Sequence, residues 1–124
     1  MGLDQYANLY RAEDAAGVSV DIDEAKSVGS LFYWRKHPNL QGWMKQLYHA
    51  KGGQDEGFNT NTVRLDSEDL DALEEAVNGG KLPHTEGFFF GESQPEHADE
   101  DRQFLKLARA AIAEGYVVFY DSWW

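Results

Sequence analysis

Within twelve residues, Tyr33-Trp34-Arg35-Lys36-His37-Pro38-Asn39-Leu40-Gln41-Gly42-Trp43-Met44 holds two tryptophans, two cations, a histidine and an asparagine. A guanidinium can fork a carboxylate or phosphate, an imidazole can move a proton near neutral pH, and indole rings can wall off water. Core packing asks for bulky apolar groups but not for cations and amides interleaved with them. The pattern therefore reads as a binding surface: an anion or acidic-side-chain pocket made by Arg35, His37 and Asn39 between Trp34 and Trp43. The plainer alternative is that Arg35 and His37 pair with the chain's own carboxylates, such as Glu92 or Asp121.

Other chemistry is thinner. Ser122 follows Asp121, and a histidine brought in by folding would complete a nucleophile and base, but no Gly-framed elbow surrounds the serine. His37, His49, His84 and His97 do not stand at metal-ligand spacing, and there is no cysteine to supply a thiolate. Gly79-Gly80-Lys81 lacks the strand and helix that a phosphate loop needs and reads as a helix stop. No metal or other cofactor is expected. Trp123 and Trp124 cannot both face one side of a strand, because successive side chains alternate. One should cap the core, and the other is available to a partner or folds back over Trp34 or Trp43.

These groups need elements to hold them. Leu3–Tyr10 alternates loosely and reads as a first strand, and Val18–Ile22 as a short edge strand or hairpin arm inside a charged stretch. Ser30–Trp34 is a strand. Pro38 suits a first helical turn, and Leu40, Trp43, Met44 and Leu47 form one apolar stripe of a helix running to Lys51, where Gly52-Gly53 stops it. Thr62–Leu65 is a short strand. Asp66 then caps a helix to about Val77, with Asp69 three residues on. Gly87–Gly91 reads as an aromatic strand buried on both faces. Asp99 caps a last helix to Glu114, with Phe104, Leu107, Ala108, Ala111 and Ile112 on its apolar face. Tyr116–Tyr120 is the final strand, expected inside the sheet, and at least one of Trp123 and Trp124 is expected to pack on Tyr33–Trp43 with Asp121 near Arg35 or Lys36. The order predicts a single α+β domain over residues 1–124: a mixed, mainly antiparallel sheet with about three helices packed on it.

Charge narrows the partners. The 124 residues carry 22 acidic and 11 basic side chains, a net charge of −11. That disfavours direct nucleic-acid binding and anionic membranes, and permits a basic protein partner. No apolar run approaches the ~18 residues of a membrane span, and the first residues do not resemble a signal peptide. The absence of cysteine fits a reducing cytoplasm.

Met1-Gly2-Leu3-Asp4-Gln5-Tyr6, Tyr33-Trp34-Arg35-Lys36-His37, Gly87-Phe88-Phe89-Phe90-Gly91 and Tyr120–Trp124 together resemble a family of small proteins encoded by tailed bacteriophages, nearest to cyanophage and marine phage members. The resemblance covers nearly the whole chain, least closely over residues 11–26. It implies a protein working in the cytoplasm of an infected host. Members sometimes carry the label phosphoglycerate kinase, an activity that needs two nucleotide-domain-sized lobes and does not suit 124 residues. The expectation is a non-enzymatic accessory protein that binds a host or phage protein through Trp34, Arg35, His37, Asn39, Trp43, Asp121, Trp123 and Trp124. The alternative is a small-molecule or nucleotide-handling domain, a small hydrolase, with Arg35, His37 and Asn39 facing Glu92, Asp121 and Ser122 in one pocket.

Overall fold

The computed structural model describes residues 2–124. Its strands are β1 (Asp4–Arg11), β2 (Gly29–Arg35), β3 (Val63–Leu65) and β4 (Tyr116–Trp123), and its helices α1 (Pro38–Ala50), α2 (Ser67–Asn78) and α3 (Pro95–Ala113). The strands form one antiparallel sheet in the order β2-β1-β4-β3, with three helices packed on it, an α+β fold. β4 lies between β1 and β3, inside the sheet as its unbroken apolar run predicts. The sheet is wholly antiparallel rather than mixed.

Alternation divides the sheet into two faces. Gln5, Ala7, Trp34, Val118, Tyr120 and Ser122 are buried on the helix side, while Asp4, Tyr6, Tyr33, Arg35, Asp121 and Trp123 occupy the other. The main core joins Ala7, Trp34, Val118 and Tyr120 to Leu40, Met44 and Tyr48 of α1, Leu70 and Leu73 of α2 and Phe104 and Leu105 of α3. On the far face, Ala15, Val18 and Ile22 fold over Tyr10, Val117 and Phe119 as a second, smaller core. That cover reaches only one end of the face.

Four local expectations need correction. Residues 18–22 make no strand; Val20 alone bridges Val63. Gly87–Gly91 is a tight turn closed by Phe90 N–H donating to the Gly87 carbonyl at 3.2 Å, with Phe89 at φ 66°. The Phe90 ring folds over Gly87, where a Cβ would overlap it, so this glycine permits a reversal rather than an extended strand. α3 begins at Pro95, four residues before Asp99, because a proline at the first helical position loses only an N–H that has no helical partner. Its buried face runs through His97, Asp101, Phe104, Leu105, Ala108 and Ala111, and Leu107 points outward. The α2 cap is as read: Asp66 N–H donates to the Asp69 carboxylate at 2.8 Å.

Candidate functional site

The β2–α1 junction is built from inside the sheet. The Gln5 amide on β1 grips the backbone of His37 at two points, Nε2 donating to the His37 carbonyl and Oε1 accepting the His37 N–H, both at 2.9 Å. Nε2 also donates to the Tyr120 hydroxyl, which donates in turn to Gln41 Oε1. Burial raises the Tyr120 pKa well above that of an ordinary phenol, so this hydroxyl stays a donor. The grip turns the chain sharply: Lys36 takes φ 51°, and α1 starts at Pro38.

His37 is therefore aimed inward. Its Nε2 lies 2.9 Å from Asp101 Oδ2, and its Nδ1 lies 2.7 Å from Ser93 Oγ. Asp101 Oδ1 accepts the Trp34 indole N–H at 3.0 Å, and Ser93 Oγ accepts the Asn39 N–H at 3.0 Å. His97 stacks on His37, ring centroids 4.2 Å apart and planes within 3°. Its Nδ1 accepts the Gln94 N–H, so Nε2 carries the proton and donates to the Arg35 carbonyl at 3.0 Å. The result is a buried polar cluster from β2, α1, α3 and the loop before α3. It locks that loop onto the start of α1.

The loop approaches α1 very closely. Thr85 occupies the space a Cβ on Gly42 would need, and Thr85 N–H donates to Asn39 Oδ1 at 3.0 Å. Three cavities adjoin the junction, one of them, of about 420 Å³, lined by Arg35, Lys36, Glu92 and His97. A second, of about 530 Å³, is lined by Pro38, Asn39, Thr85, Glu86, Glu92 and Ser93 among others. The third, of about 300 Å³, is lined by Asn39, Ser93, His37 and Asp101 against Val77 and Leu82.

The opposite face is laid out in rows by the strand register. Trp123, Asp4 and Arg35 form one row, and Asp121, Tyr6 and Tyr33 the next. Asp4 Oδ1 takes the Tyr33 hydroxyl at 2.5 Å and Arg35 Nη1 at 2.8 Å. The Tyr33 bond, with Arg35, lowers the Asp4 pKa. Asp121 has a buried Oδ1 that meets no hydrogen-bond donor among the described residues, and the group it faces is another carboxyl, Glu24. Burial first, then the Glu24 carboxyl, pushes the Asp121 pKa up to about 8.

The eight residues expected to form one site are thus distributed. Trp34 is buried core, 1% exposed, because it stands on the helix side of β2; its ring packs on Phe32, Phe104 and Tyr120. His37 and Asn39 lie behind it at the cavities. Arg35 sits on the opposite face, as alternation from Trp34 requires, and binds Asp4 rather than Asp121. Trp43 is half-buried against the main core, away from the junction, since the buried face of α1 centres on Leu40, Gln41, Met44 and Tyr48. Trp124 packs edge-on against Phe90 at 4.9 Å, and its backbone binds Asn59. That contact takes the place expected for Tyr33–Trp43, although Trp124 shares a cavity with Gln41 and Gly42. Ser122 is buried and donates to the Phe58 carbonyl, so it faces no base. Glu86 and Glu92 line the cavity beside Asn39 and Arg35 does not; Arg35 lines a separate cavity with Lys36, His97 and Glu92.

Ser93, His97 and Asp101 join the junction without standing in any motif of the sequence. Their signal lies in α3. With the helix started at Pro95, His97 and Asp101 fall four apart and continue the buried stripe through Phe104 or Leu105, Ala108 and Ala111. A buried carboxylate on an apolar stripe asks for partners.

Among the described residues, no group of three or more His, Asp or Glu side chains is placed to hold a metal ion, and no helix is long and apolar enough to cross a membrane. Comparison with protein-family models, curated proteins and solved structures returns no match to this chain.

Proposed function

We propose that this chain is a phage accessory protein that binds a host or phage protein in the cytoplasm of the infected cell, through the uncovered end of its sheet and the adjoining turn. One observation carries the reading. Four large aromatic side chains remain exposed at this end: Phe88 at 77%, Trp123 at 64%, Tyr33 at 48% and Phe89 at 45%. Tyr33 and Trp123 share the sheet face that the segment over residues 12–28 leaves open. Phe88 and Phe89 rise from a turn that is anchored beside them, with Phe90 on Trp124 and Gly91 against the Lys36 side chain. Exposed aromatics grouped on a small charged protein are the usual anchors of a protein interface. The net charge of −11 favours a basic partner surface.

The test is affinity capture from infected-cell lysate with three proteins: the parent, a variant with Tyr33, Phe88, Phe89 and Trp123 changed to serine, and a control with four serines placed on exposed α3 positions. A partner held by parent and control but lost from the aromatic variant, more weakly held as salt is raised, supports the reading. A partner kept equally by all three, or none held by the parent, overturns it.

A further inference from the structure

The buried cluster behind the aromatic end has a direction. Asn39 N–H can only donate, so Ser93 Oγ accepts there, and its own hydrogen is available to His37 Nδ1, 2.7 Å away. His37 Nε2–H then points at Asp101 Oδ2, and the Trp34 indole N–H holds the other Asp101 oxygen. The reverse tautomer would aim a nitrogen lone pair at a carboxylate. The chain of donors therefore runs from Asn39 to Ser93 to His37 to Asp101, with a serine proton already directed at a base.

Three further features suit this arrangement to chemistry. Ser93 is half-buried at the meeting of two cavities, whereas His37 and Asp101 are shielded from water. Asn39 lines both cavities; its Oδ1 is fixed by Thr85 N–H, and its Nδ2 has no hydrogen-bond partner among the described residues. The larger cavity, about 530 Å³, is of small-molecule size and carries Glu86 and Glu92, which repel anions. A serine that only capped α1 would need the Asn39 bond alone.

We propose that Ser93, His37 and Asp101 form a nucleophilic site that hydrolyses small neutral or cationic carboxylic esters, with Asn39 Nδ2 as donor to the developing oxyanion. Ser93 Oγ bonds to the ester carbonyl carbon while its proton passes to His37 Nδ1. Asp101 holds the imidazolium, and the carbonyl electron pair moves onto the oxygen facing Asn39 Nδ2. That pair returns as the carbon–oxygen bond to the alcohol breaks, and the alcohol leaves with the proton from His37. Water then attacks the acyl-serine, gives its proton to His37, and the acid departs as Ser93 Oγ takes the proton back. No electron transfer is involved, and water is the only co-reactant. This site does not depend on the protein-binding reading, which uses the opposite face and the turn.

The experiment uses the full chain with a fluorophosphonate probe, p-nitrophenyl acetate and an anionic p-nitrophenyl hemisuccinate. The expected result is a phosphonyl adduct mapped to Ser93 and acetate hydrolysis above background. Ser93→Ala should abolish both, Asn39→Ala should slow hydrolysis about 100-fold, and the anionic ester should react more slowly. Asp101→Asn and His37→Gln disturb buried groups, so the decision rests on Ser93→Ala and Asn39→Ala, both checked for a parent-like melt. A folded parent that is not labelled at Ser93, or ester turnover unchanged in folded Ser93→Ala, overturns the proposal.

Discussion

The two faces of the sheet use aromatic residues in opposite ways. On the helix side, Trp34, Tyr120, Phe58 and Phe104 close around a polar cluster in which Gln5, His37, Asp101 and Gln41 are all partnered. On the other side, Tyr10 and Phe119 are covered, but Tyr6, Tyr33 and Trp123 lie beyond the cover. Neighbours in sequence are separated by this division: Trp34 and His37 point inward, and Tyr33 and Arg35 outward. The inner face spends its aromatics on a fixed junction. The outer face and the turn at residues 87–91 carry the most exposed aromatics among the described residues, so the densest motif of the chain cannot act as one surface.

The sharpest break of this comparison is Trp34→Ala, which opens a core cavity and strips a donor from Asp101. It should cost about 3–5 kcal/mol in denaturant unfolding. A near-neutral result would mean the junction is not part of the core. Gln5→Leu keeps the volume but orphans the buried His37 N–H and strips one donor each from the His37 carbonyl and the Tyr120 hydroxyl, so a loss of about 2–3 kcal/mol is expected by the same measurement. Trp43 lies at the margin of the helix stripe, and Trp43→Ala should fall lower, at about 1–3 kcal/mol. A loss equal to that of Trp34→Ala would place it in the core proper.

On the open face, Asp121 gives a pH signature. Its folded pKa of about 8 stands above the ordinary 3.8. The native state thus binds the Asp121 proton more tightly than the unfolded chain, and this contribution to stability is lost as pH rises from about 4 to about 8. Asp121→Asn should remove that slope, melting higher than the parent above about pH 8 and gaining nothing near pH 4. An unchanged slope would separate Asp121 from Glu24. The smallest effect belongs to Trp123→Ala, within about 0.5 kcal/mol of the parent, because its side chain is mostly exposed. A large loss there would show that the outer row is structural, and would weaken the binding reading with it.

Element types were largely legible because they depend on local rules. The proline before α1, the Asp66–Asp69 cap and the continuous apolar run of β4 each specify their own neighbourhood. The three phenylalanines of Gly87–Gly91 favour a strand by propensity, but a strand also needs a paired neighbour. A helix capped at Asp99 would put Asp101 in an exposed first turn, whereas the start at Pro95 puts it on the buried stripe. Asn39 is legible as a junction residue, but its partners lie 46 and 54 positions away in sequence.

The sequence by itself determined the α+β class, the helices that begin at Pro38 and Ser67, the acidic balance and the interest of the Tyr33–Trp43 segment. Periodicity, caps and composition act over a few residues, so they can be read without knowing the fold. Only the tertiary structure decided which of those residues meet. Strand register sends Arg35 to Asp4 and Trp34 to Asp101, and the docking of the loop before α3 brings Ser93 to His37. Such long-range contacts are chosen by packing and by the need to satisfy every buried polar group at once, and neither condition is visible one window at a time.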